Sequence, residues 1–277
     1  MNTLRKLLAE GAQALPGDEA RREAALLLRH VLGVTETWLL AHADDPVDSE
    51  GEARYRALIE RRVRGEPIAY IIGTRGFHAL DLQVTPDVLI PRPETERLVE
   101  LALQRIPVDT DCAVADLGTG SGAIALAIAR ARPRAQVVAT DASAKALQVA
   151  RGNAMRLGLC NVRLAQGDWC AALDDARFDV IVSNPPYIAE GDPHLMEGDL
   201  RFEPALALSS GRDGLDAIHT IVRDACTHLR GEGWLMFEHG YDQGEAVRAL
   251  LASNGYLDVF TARDLEGRDR VSGGAYR

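Results

Sequence analysis

Strand and helix patterns alternate from about residue 112 onward, and this alternation limits the possible folds most strongly. Short apolar and β-branched runs predict strands at 112–115, 135–140, 162–165, 180–183, 234–238, 259–262 and 271–276. Helical periodicity predicts helices at 123–130, 145–157, 213–229 and 245–253. Such alternation is typical of a doubly wound α/β fold, with a mostly parallel sheet and helices on both faces. Ligands of these folds bind beyond the carboxyl ends of the strands.

The chain before this alternation has a different character. Residues 1–73 carry apolar stripes at helical spacing and predict a small all-α bundle, with Asp18 and Ser49 as expected helix caps. Residues 74–90 mix apolar residues with Gly, Asp and Pro, which favours a β-hairpin or extended linker. We therefore expect a helical domain at 1–73, a hairpin linker at 74–90 and an α/β domain at 91–277.

Composition narrows the functional classes. A net charge of −10 argues against sequence-independent binding to nucleic-acid phosphates. The four cysteines form no CxxC pair and the seven histidines show no ligand spacing, so we expect no metal. Reduced cysteines, and the lack of an apolar run of bilayer length, predict a cytoplasmic protein without membrane contact.

A glycine-rich segment, Asp-Leu-Gly-Thr-Gly-Ser-Gly, follows the first predicted strand and opens a helix. Glycines allow a sharp turn and close approach of a ligand, and free N–H groups at the helix start favour a pyrophosphate or a carboxylate. The spacing also satisfies the dinucleotide fingerprint, so the loop alone leaves a nicotinamide or flavin cofactor open. The candidate loop residues are Gly118, Thr119, Gly120, Ser121 and Gly122.

Acidic residues end the next two predicted strands. Asp141 follows the second strand, where a carboxylate can accept from both hydroxyls of a ribose, or can take part in capping the next helix. Asp168 follows the third strand and can accept from an adenine amine, while Trp169 can cover the ring or can be a core residue. After a glycine loop, this pattern indicates an adenosine-binding cleft.

The fourth predicted strand runs into Asn184, Pro185, Pro186 and Tyr187. The prolines fix φ and remove two donors, so the turn is stiff and its carbonyls stay available. Asn184 Oδ1 and the Pro185 carbonyl can together accept both hydrogens of one planar NH2 group, and Tyr187 can pack against its plane. The two prolines alone would be enough to form a structural turn, without Asn184 and Tyr187. The full tetrapeptide favours a site that holds an amide or aryl amine for attack through nitrogen.

These motifs, in this order, resemble class I S-adenosylmethionine-dependent methyltransferases. The fuller pattern resembles the release factor glutamine methyltransferases and extends over nearly the whole chain. The further segments that carry this resemblance are 89–96 (Leu-Ile-Pro-Arg-Pro-Glu-Thr-Glu), 192–194, 201–204 and 238–240. It implies a seven-stranded methyltransferase sheet and S-adenosylmethionine as cofactor. The implied reaction methylates the Gln of the Gly-Gly-Gln loop in class 1 peptide chain release factors, with residues 1–73 recognising that protein substrate.

The resemblance also implies a role for each motif. The loop Gly118–Gly122 lines the methionine part of the cofactor, Asp141 binds the ribose, and Asp168 with Trp169 bounds the adenine pocket. Asn184 to Tyr187 hold the glutamine amide beside the cofactor, and Asn184, Pro185 and Tyr187 are the expected catalytic residues. Further candidates near the cleft are Arg92, Glu94, Glu96 and His239.

Other functions also fit the tetrapeptide. An adenine amine is a planar NH2 group, but a nucleic-acid methyltransferase must flip its base and usually needs a basic surface. The net charge of −10 weighs against that class. A glutamine of a ribosomal protein is a second alternative, against which segment 89–96 favours a release factor. A module that binds the cofactor without turnover has no use for the intact segment at 184–187.

Overall fold

The computed structural model describes residues 2–277, which form two compact units, one ending at Thr74 and the other spanning Arg75–Arg277. The first unit is helical, and its core is built from the apolar stripes of its helices, with Leu7, Ala24, Leu27 and Leu28 fully buried. Its helices are α1 (Leu4–Ala14), α2 (Ala20–Leu32), α3 (Glu36–Ala41), α4 (Ser49–Val63) and α5 (Ile68–Ile72).

Both expected helix caps, Asp18 and Ser49, were wrong. The cap of α4 is Asp48, whose extended backbone lets Oδ1 accept from Gly51 N at 2.7 Å, and Ser49 is already the first helical residue. Before α2, the chain turns at Gly17 to Ala20, and the N-cap position is Glu19. No side chain caps this helix: Glu19 has helical backbone angles, and its Oε2 accepts from Arg22 Nη1 at 3.2 Å.

The second unit opens with the hairpin that the sequence predicted, formed by β1 (Thr74–Phe77) and β2 (Leu80–Gln83). His78 and Ala79 form its two-residue turn with φ values of 45° and 61°. Positive φ at both positions matches the twist of the flanking strands. The hairpin is tied to the rest of the unit by Asn153, which accepts from Gln83 N at 2.7 Å.

A seven-stranded sheet forms the centre of the second unit, in the order β5-β4-β3-β6-β7-β9-β8. The strands β3 to β7 are parallel, and β9 runs antiparallel between β7 and β8. This confirms the doubly wound α/β prediction. The strands are β3 (Ala113–Leu117), β4 (Gln136–Asp141), β5 (Val162–Gln166), β6 (Phe178–Ser183), β7 (Leu229–Glu238), β8 (Leu257–Arg263) and β9 (Asp269–Tyr276).

Helices cover both faces of this sheet because alternate strand residues point to opposite sides. Val114 and Val180 belong to one buried cluster, and Ala115 and Ile181 belong to the other. The predicted helix at 213–229 is shorter, since a 3₁₀ turn replaces its end and β7 starts at Leu229. The helices are α6 (Glu96–Arg105), α7 (Ala123–Ala131), α8 (Ala144–Leu157), α9 (Asp216–Ala225) and α10 (Gly244–Ser253).

The strand order fixes where a ligand can bind. The chain passes from β3 to β4 on one side and later returns to β6 on the other side of β3. The crevice at such a reversal lies beyond the carboxyl ends of these strands. Among residues 2–277, no helix is both long enough and apolar enough to cross a membrane.

Candidate active site

A cavity of about 310 Å³ opens at the carboxyl ends of β3 to β6. This volume lies at the lower end of the roughly 300–1,000 Å³ range of small-molecule sites. Of the residues predicted to bind cofactor or substrate, Gly122, Pro185 and Tyr187 lie outside its lining. The predicted residues that the fold brings together in the lining are Gly118, Thr119, Gly120, Ser121, Asp141, Asp168, Trp169, Asn184 and Pro186.

The glycine loop forms the floor of the cavity. Gly118 and Thr119 both donate their N–H groups to the carbonyl of Thr140, at 2.9 and 2.8 Å, which ties the loop to the end of β4. Gly118 has a φ of 73°, and a Cβ atom there would lie 3.0 Å from Cζ3 of Trp169. Gly122 has a φ of 87° at the N-cap of α7 and shapes the turn from outside the lining. The loop therefore needs glycine both for its backbone angles and for ring clearance.

Asp141 is the residue around which the loop is organised. Its Oδ2 accepts from Gly120 N at 2.9 Å and its Oδ1 accepts from Ser143 N at 2.8 Å. The cap of α8 is Ser143, which accepts from Ala146 N, so Asp141 itself does not cap the helix. A carboxylate has about four lone-pair sites, so Asp141 retains acceptor capacity toward the cavity.

Asp168 and Trp169 form one wall. Asp168 is exposed at the rim, while Trp169 is half-buried, lines the cavity and packs against the core on the side of Leu173. Trp169 has a φ of 43°, an unusual angle for a bulky residue. The Trp169 ring thus belongs both to the cavity wall and to the core, so the two interpretations of the sequence are not exclusive.

A chain of hydrogen bonds positions the tetrapeptide that follows β6. Asn184 Nδ2 donates to Thr95 Oγ1 at 3.1 Å, and Thr95 Oγ1 donates to Glu238 Oε2 at 2.6 Å. On the other side, the Tyr187 hydroxyl donates to Glu238 Oε1 at 2.9 Å. Glu238 is 1% exposed. Three separate segments of the chain therefore meet at one buried carboxylate.

Burial is the largest influence on the pKa values of Glu238 and Tyr187. Burial raises the pKa of Glu238, and the hydrogen bonds from Thr95 and Tyr187 act in the opposite direction. Burial also raises the pKa of Tyr187 above its usual range, with Glu238 adding to that effect. Tyr187 is therefore a neutral hydrogen-bond donor, and its ring is held in place through its hydroxyl.

Comparison with known proteins identifies methyltransferases as relatives of this chain. Family models described as the PrmC N-terminal domain and the methyltransferase small domain match residues 6–73 and 96–198. A release factor glutamine methyltransferase of Xylella fastidiosa is 56% identical over 254 residues, which is 92% of each chain. One from Bordetella pertussis is 52% identical over 99% of each chain. The chain belongs to the release factor glutamine methyltransferase family. A methyltransferase structure from Pyrococcus furiosus, 20% identical with a TM-score of 0.54 over 78% of this chain and 96% of that one, shares the fold.

Within this methyltransferase family member, the candidate residue Arg92 forms an ion pair with a buried acid. Arg92 lines the cavity, and its Nη2 lies 2.6 Å from Oε1 of the buried Glu203. Pro204, Leu206 and Ala207 directly follow Glu203 and line the same cavity. The ion pair therefore fastens the loop after β6 to the segment before α6, and both segments line the cavity.

His239 and Glu96, two of the other weaker candidates, have structural roles. His239 is fully buried, with Nδ1 donating to the Gly240 carbonyl and Nε2 bonded to Ser272 Oγ, both at 2.8 Å. It lies outside the lining, and burial lowers its pKa. Glu96 Oε1 accepts from His78 N at 2.9 Å, which anchors the hairpin. Among residues 2–277, no cluster of His, Cys, Asp and Glu could hold a metal ion.

Sequence reasoning missed two polar residues of this methyltransferase site. Thr95 was noticed only as part of segment 89–96, and Glu238 only as a residue at the end of a strand near the site. A signal was present for Glu238, since an acid at the end of a buried strand needs polar partners. No local pattern links it to Thr95, because the two side chains are separated by 143 positions in the sequence.

Proposed function

We propose that this protein transfers a methyl group from S-adenosylmethionine to the side-chain amide nitrogen of the Gln in the Gly-Gly-Gln motif of class 1 peptide chain release factors. The observation that carries this proposal is the orientation of Asn184. Its Nδ2 is engaged by Thr95, while its Oδ1 accepts no hydrogen bond from residues 2–277, and the residue lines the cavity. An uncommitted amide oxygen in the cleft is suited to accept from an NH2 group.

The residues of the cavity fit S-adenosylmethionine. The absent Cβ of Gly118 leaves room beside the Trp169 ring, and Asp141 keeps acceptor capacity for a pair of ribose hydroxyls. Asp168 at the rim supplies an acceptor for an adenine amine, beside the flat face of Trp169. The N–H groups at the start of α7 suit a carboxylate. When bound, S-adenosylmethionine supplies an electrophilic methyl group.

The protein's own task is to make a poor nucleophile available. The nitrogen of a carboxamide is weakly nucleophilic because its lone pair is delocalised into the carbonyl. We infer that Asn184 Oδ1 and the Pro185 carbonyl accept the two amide hydrogens and so hold the nitrogen in place. These acceptors also stabilise the positive charge that develops on nitrogen. Pro185 is buried, and a proline side chain has no polar atom, so its only acceptor is the main-chain oxygen.

Tyr187 completes the proposed amide site. Because its hydroxyl is held by Glu238, its ring has a fixed position, and we infer that the ring packs against the plane of the substrate amide. A dedicated general base is unnecessary, because the nitrogen becomes acidic once it is alkylated and releases its proton readily.

The proposal that a release factor is the protein substrate rests on membership of the family. Curated relatives at about half identity over nearly the full chain carry that name, and both the helical region and the catalytic region match family models. We infer that residues 1–73 help to bind the protein substrate. We place the reaction in the cytoplasm, because Cys112, Cys160, Cys170 and Cys226 are all free thiols, as is usual in a reducing compartment.

A substrate panel tests the proposal. The recombinant protein is incubated with labelled S-adenosylmethionine and, separately, with a class 1 release factor, a glutamine-containing ribosomal protein and duplex DNA. The expected result is label in the release factor only, and loss of that label when its loop Gln is replaced. Label in DNA or in the ribosomal protein, with none in the release factor, would overturn the proposal in favour of one of the two alternatives.

A further inference from the structure

We propose that Glu238, acting through Thr95, fixes the direction in which the Asn184 amide faces, so that both are positioning residues for methyl transfer. The inference rests on the proposed function, because it concerns the group that would hold the substrate amide. It assigns a purpose to two buried polar side chains that do not themselves touch the reacting atoms.

An unbroken chain of hydrogen bonds runs from Glu238 in the core through Thr95 to Asn184 in the cleft. Glu238 ends β7, Thr95 lies in the turn before α6 and is 3% exposed, and Asn184 follows β6 at the edge of the cavity. Thr95 Oγ1 lies 2.6 Å from Glu238 Oε2 and 3.1 Å from Asn184 Nδ2. A buried carboxylate is costly unless it is hydrogen-bonded, so Glu238 holds the Thr95 hydroxyl firmly.

The direction of these bonds follows from proton counting. An ionised carboxylate only accepts, so the hydroxyls of Thr95 and Tyr187 must both donate to Glu238. The single hydroxyl hydrogen of Thr95 is then used, and toward Asn184 this oxygen can only accept. Asn184 must therefore present Nδ2 to Thr95, and its Oδ1 is left for the substrate.

Protonation of Glu238 removes this constraint. A neutral carboxyl can donate to Thr95, whose hydroxyl can then donate to Asn184, and the amide turns its Nδ2 outward. An outward NH2 group would face the NH2 group of a glutamine, and two donors cannot form a hydrogen bond. The ionised carboxylate is thus the form that supports methyl transfer.

Several groups face Glu238 and bear on this equilibrium. Thr95 and Tyr187 donate hydrogen bonds to Glu238. The positive charge of Arg270 on β9 favours the ionised carboxylate, and the negative charge of Glu94 opposes ionisation. Burial is the largest influence and raises the pKa of Glu238 above that of an exposed glutamate. We therefore expect the transfer rate to fall on the acid side, at a pH above that at which exposed carboxylates titrate.

The test compares two substitutions of Thr95. Thr95→Val keeps the shape but removes the hydroxyl, and Thr95→Ser keeps the hydroxyl. For Thr95→Val we expect kcat on the release factor to fall by about 10- to 100-fold, with KM for cofactor within about twofold. The residual transfer rate of this variant should no longer fall as the pH is lowered through the range in which Glu238 is protonated. Thr95→Ser should retain both the rate, within about threefold, and the titration.

A double-mutant cycle with Asn184→Ala separates positioning from general damage. If Thr95 acts through Asn184, Thr95→Val should cost almost nothing further in the Asn184→Ala background. A Thr95→Val enzyme with wild-type kcat, or one that loses as much in the Asn184→Ala background as in the wild type, would overturn this inference alone. A wild-type protein that does not methylate the release factor in the same assay would overturn the proposed function and this inference together.

Discussion

The chemistry of the cleft depends on which polar atoms remain uncommitted to the protein itself. Asn184 gives its Nδ2 to Thr95 and keeps Oδ1 for the cavity. Asp141 accepts from the backbone N–H groups of Gly120 and Ser143, one on each carboxylate oxygen, and retains lone pairs. Both residues therefore make structural hydrogen bonds at strand ends and still have acceptor capacity in the cavity.

Asn184→Ala should affect turnover more than cofactor binding. The lost acceptor stabilises charge that develops on the substrate nitrogen, so we expect the rate of transfer to fall by about 100-fold or more. Binding of S-adenosylmethionine should change by less than about threefold. Single-turnover kinetics and cofactor titration measure the two quantities. Equal losses in both would mean that Asn184 serves the cofactor rather than the amide.

Asp116 should make folding stability depend on pH. Its Oδ1 is buried without a partner, and burial raises its pKa from 3.8 to about 7, although Thr119 and Ala125 donate to Oδ2. Because the folded-state pKa is raised, the stabilisation that Asp116 provides is complete below 3.8 and is lost as the pH rises toward about 7.

The matched variant is Asp116→Asn, which cannot titrate. The free energy of unfolding of the wild type, minus that of the variant, should decrease as the pH rises from 3.8 to about 7 and then level off. Denaturant unfolding at several pH values without cofactor gives this difference. A difference that is constant over the range would show that the carboxyl ionises as freely in the folded protein as in the unfolded chain.

At the residue scale, the sequence revealed what lies within a few positions of a strand end. The glycine loop, Asp141, Asp168 with Trp169, and Asn184 are all recognisable from local order, and the fold brings them to one cavity. The link between Thr95 and Glu238 has no local signature, because strand order in the sheet, rather than spacing along the chain, makes them neighbours.

At the scale of elements, the turn from β3 to α7 is the part most constrained by backbone geometry. Gly118 and Gly120 both have positive φ, at 73° and 56°. They differ in their surroundings, since a Cβ at Gly118 would lie 3.0 Å from the Trp169 ring, whereas one at Gly120 would have no neighbour within 4 Å. Alanine substitutions at these two positions therefore distinguish the effect of backbone strain from that of side-chain crowding.

Gly118→Ala should cost more than Gly120→Ala. Both variants carry the penalty of about 1–2 kcal/mol for a left-handed alanine, and only Gly118→Ala must also displace Trp169. We expect a lower melting temperature and altered tryptophan fluorescence for Gly118→Ala relative to Gly120→Ala. Equal melting temperatures with unchanged fluorescence would show that the ring does not pack against the loop.

The existence and type of the sheet strands and the main helices were predictable, but some ends were not. Hydrophobic periodicity reports which residues are buried, and burial determines the strands and the main helices. A helix start depends instead on which single side chain reaches a free N–H group. At α4 that side chain belongs to Asp48, one position before the residue that the pattern favoured.

At the scale of the whole molecule, the two units have separate hydrophobic cores. The core of the first unit is drawn from residues between Leu4 and Ile72, and the sheet cores from residues between Phe77 and Tyr276. Units with their own cores can in principle fold alone. None of the residues that line the cavity lies between residues 2 and 74, the described part of the helical unit.

Removal of the helical unit should weaken recognition of the protein substrate more than the chemistry. For a chain of residues 75–277, we expect kcat/KM for an intact release factor to fall by about tenfold or more. The kcat/KM for a short Gly-Gly-Gln peptide should change much less, and cofactor titration provides the control for folding. Equal losses for both substrates would contradict a binding role for the helical unit.

The most direct measurement of the central claim is the location of the transferred methyl group. A class 1 release factor is incubated with S-adenosylmethionine and either the wild-type protein or Asn184→Ala, digested, and sequenced by tandem mass spectrometry. We predict one methyl group on the side-chain nitrogen of the Gly-Gly-Gln glutamine with the wild type, and a strongly reduced yield with Asn184→Ala. A methyl group on any other residue, or an equal yield from both proteins, would contradict the proposed amide site.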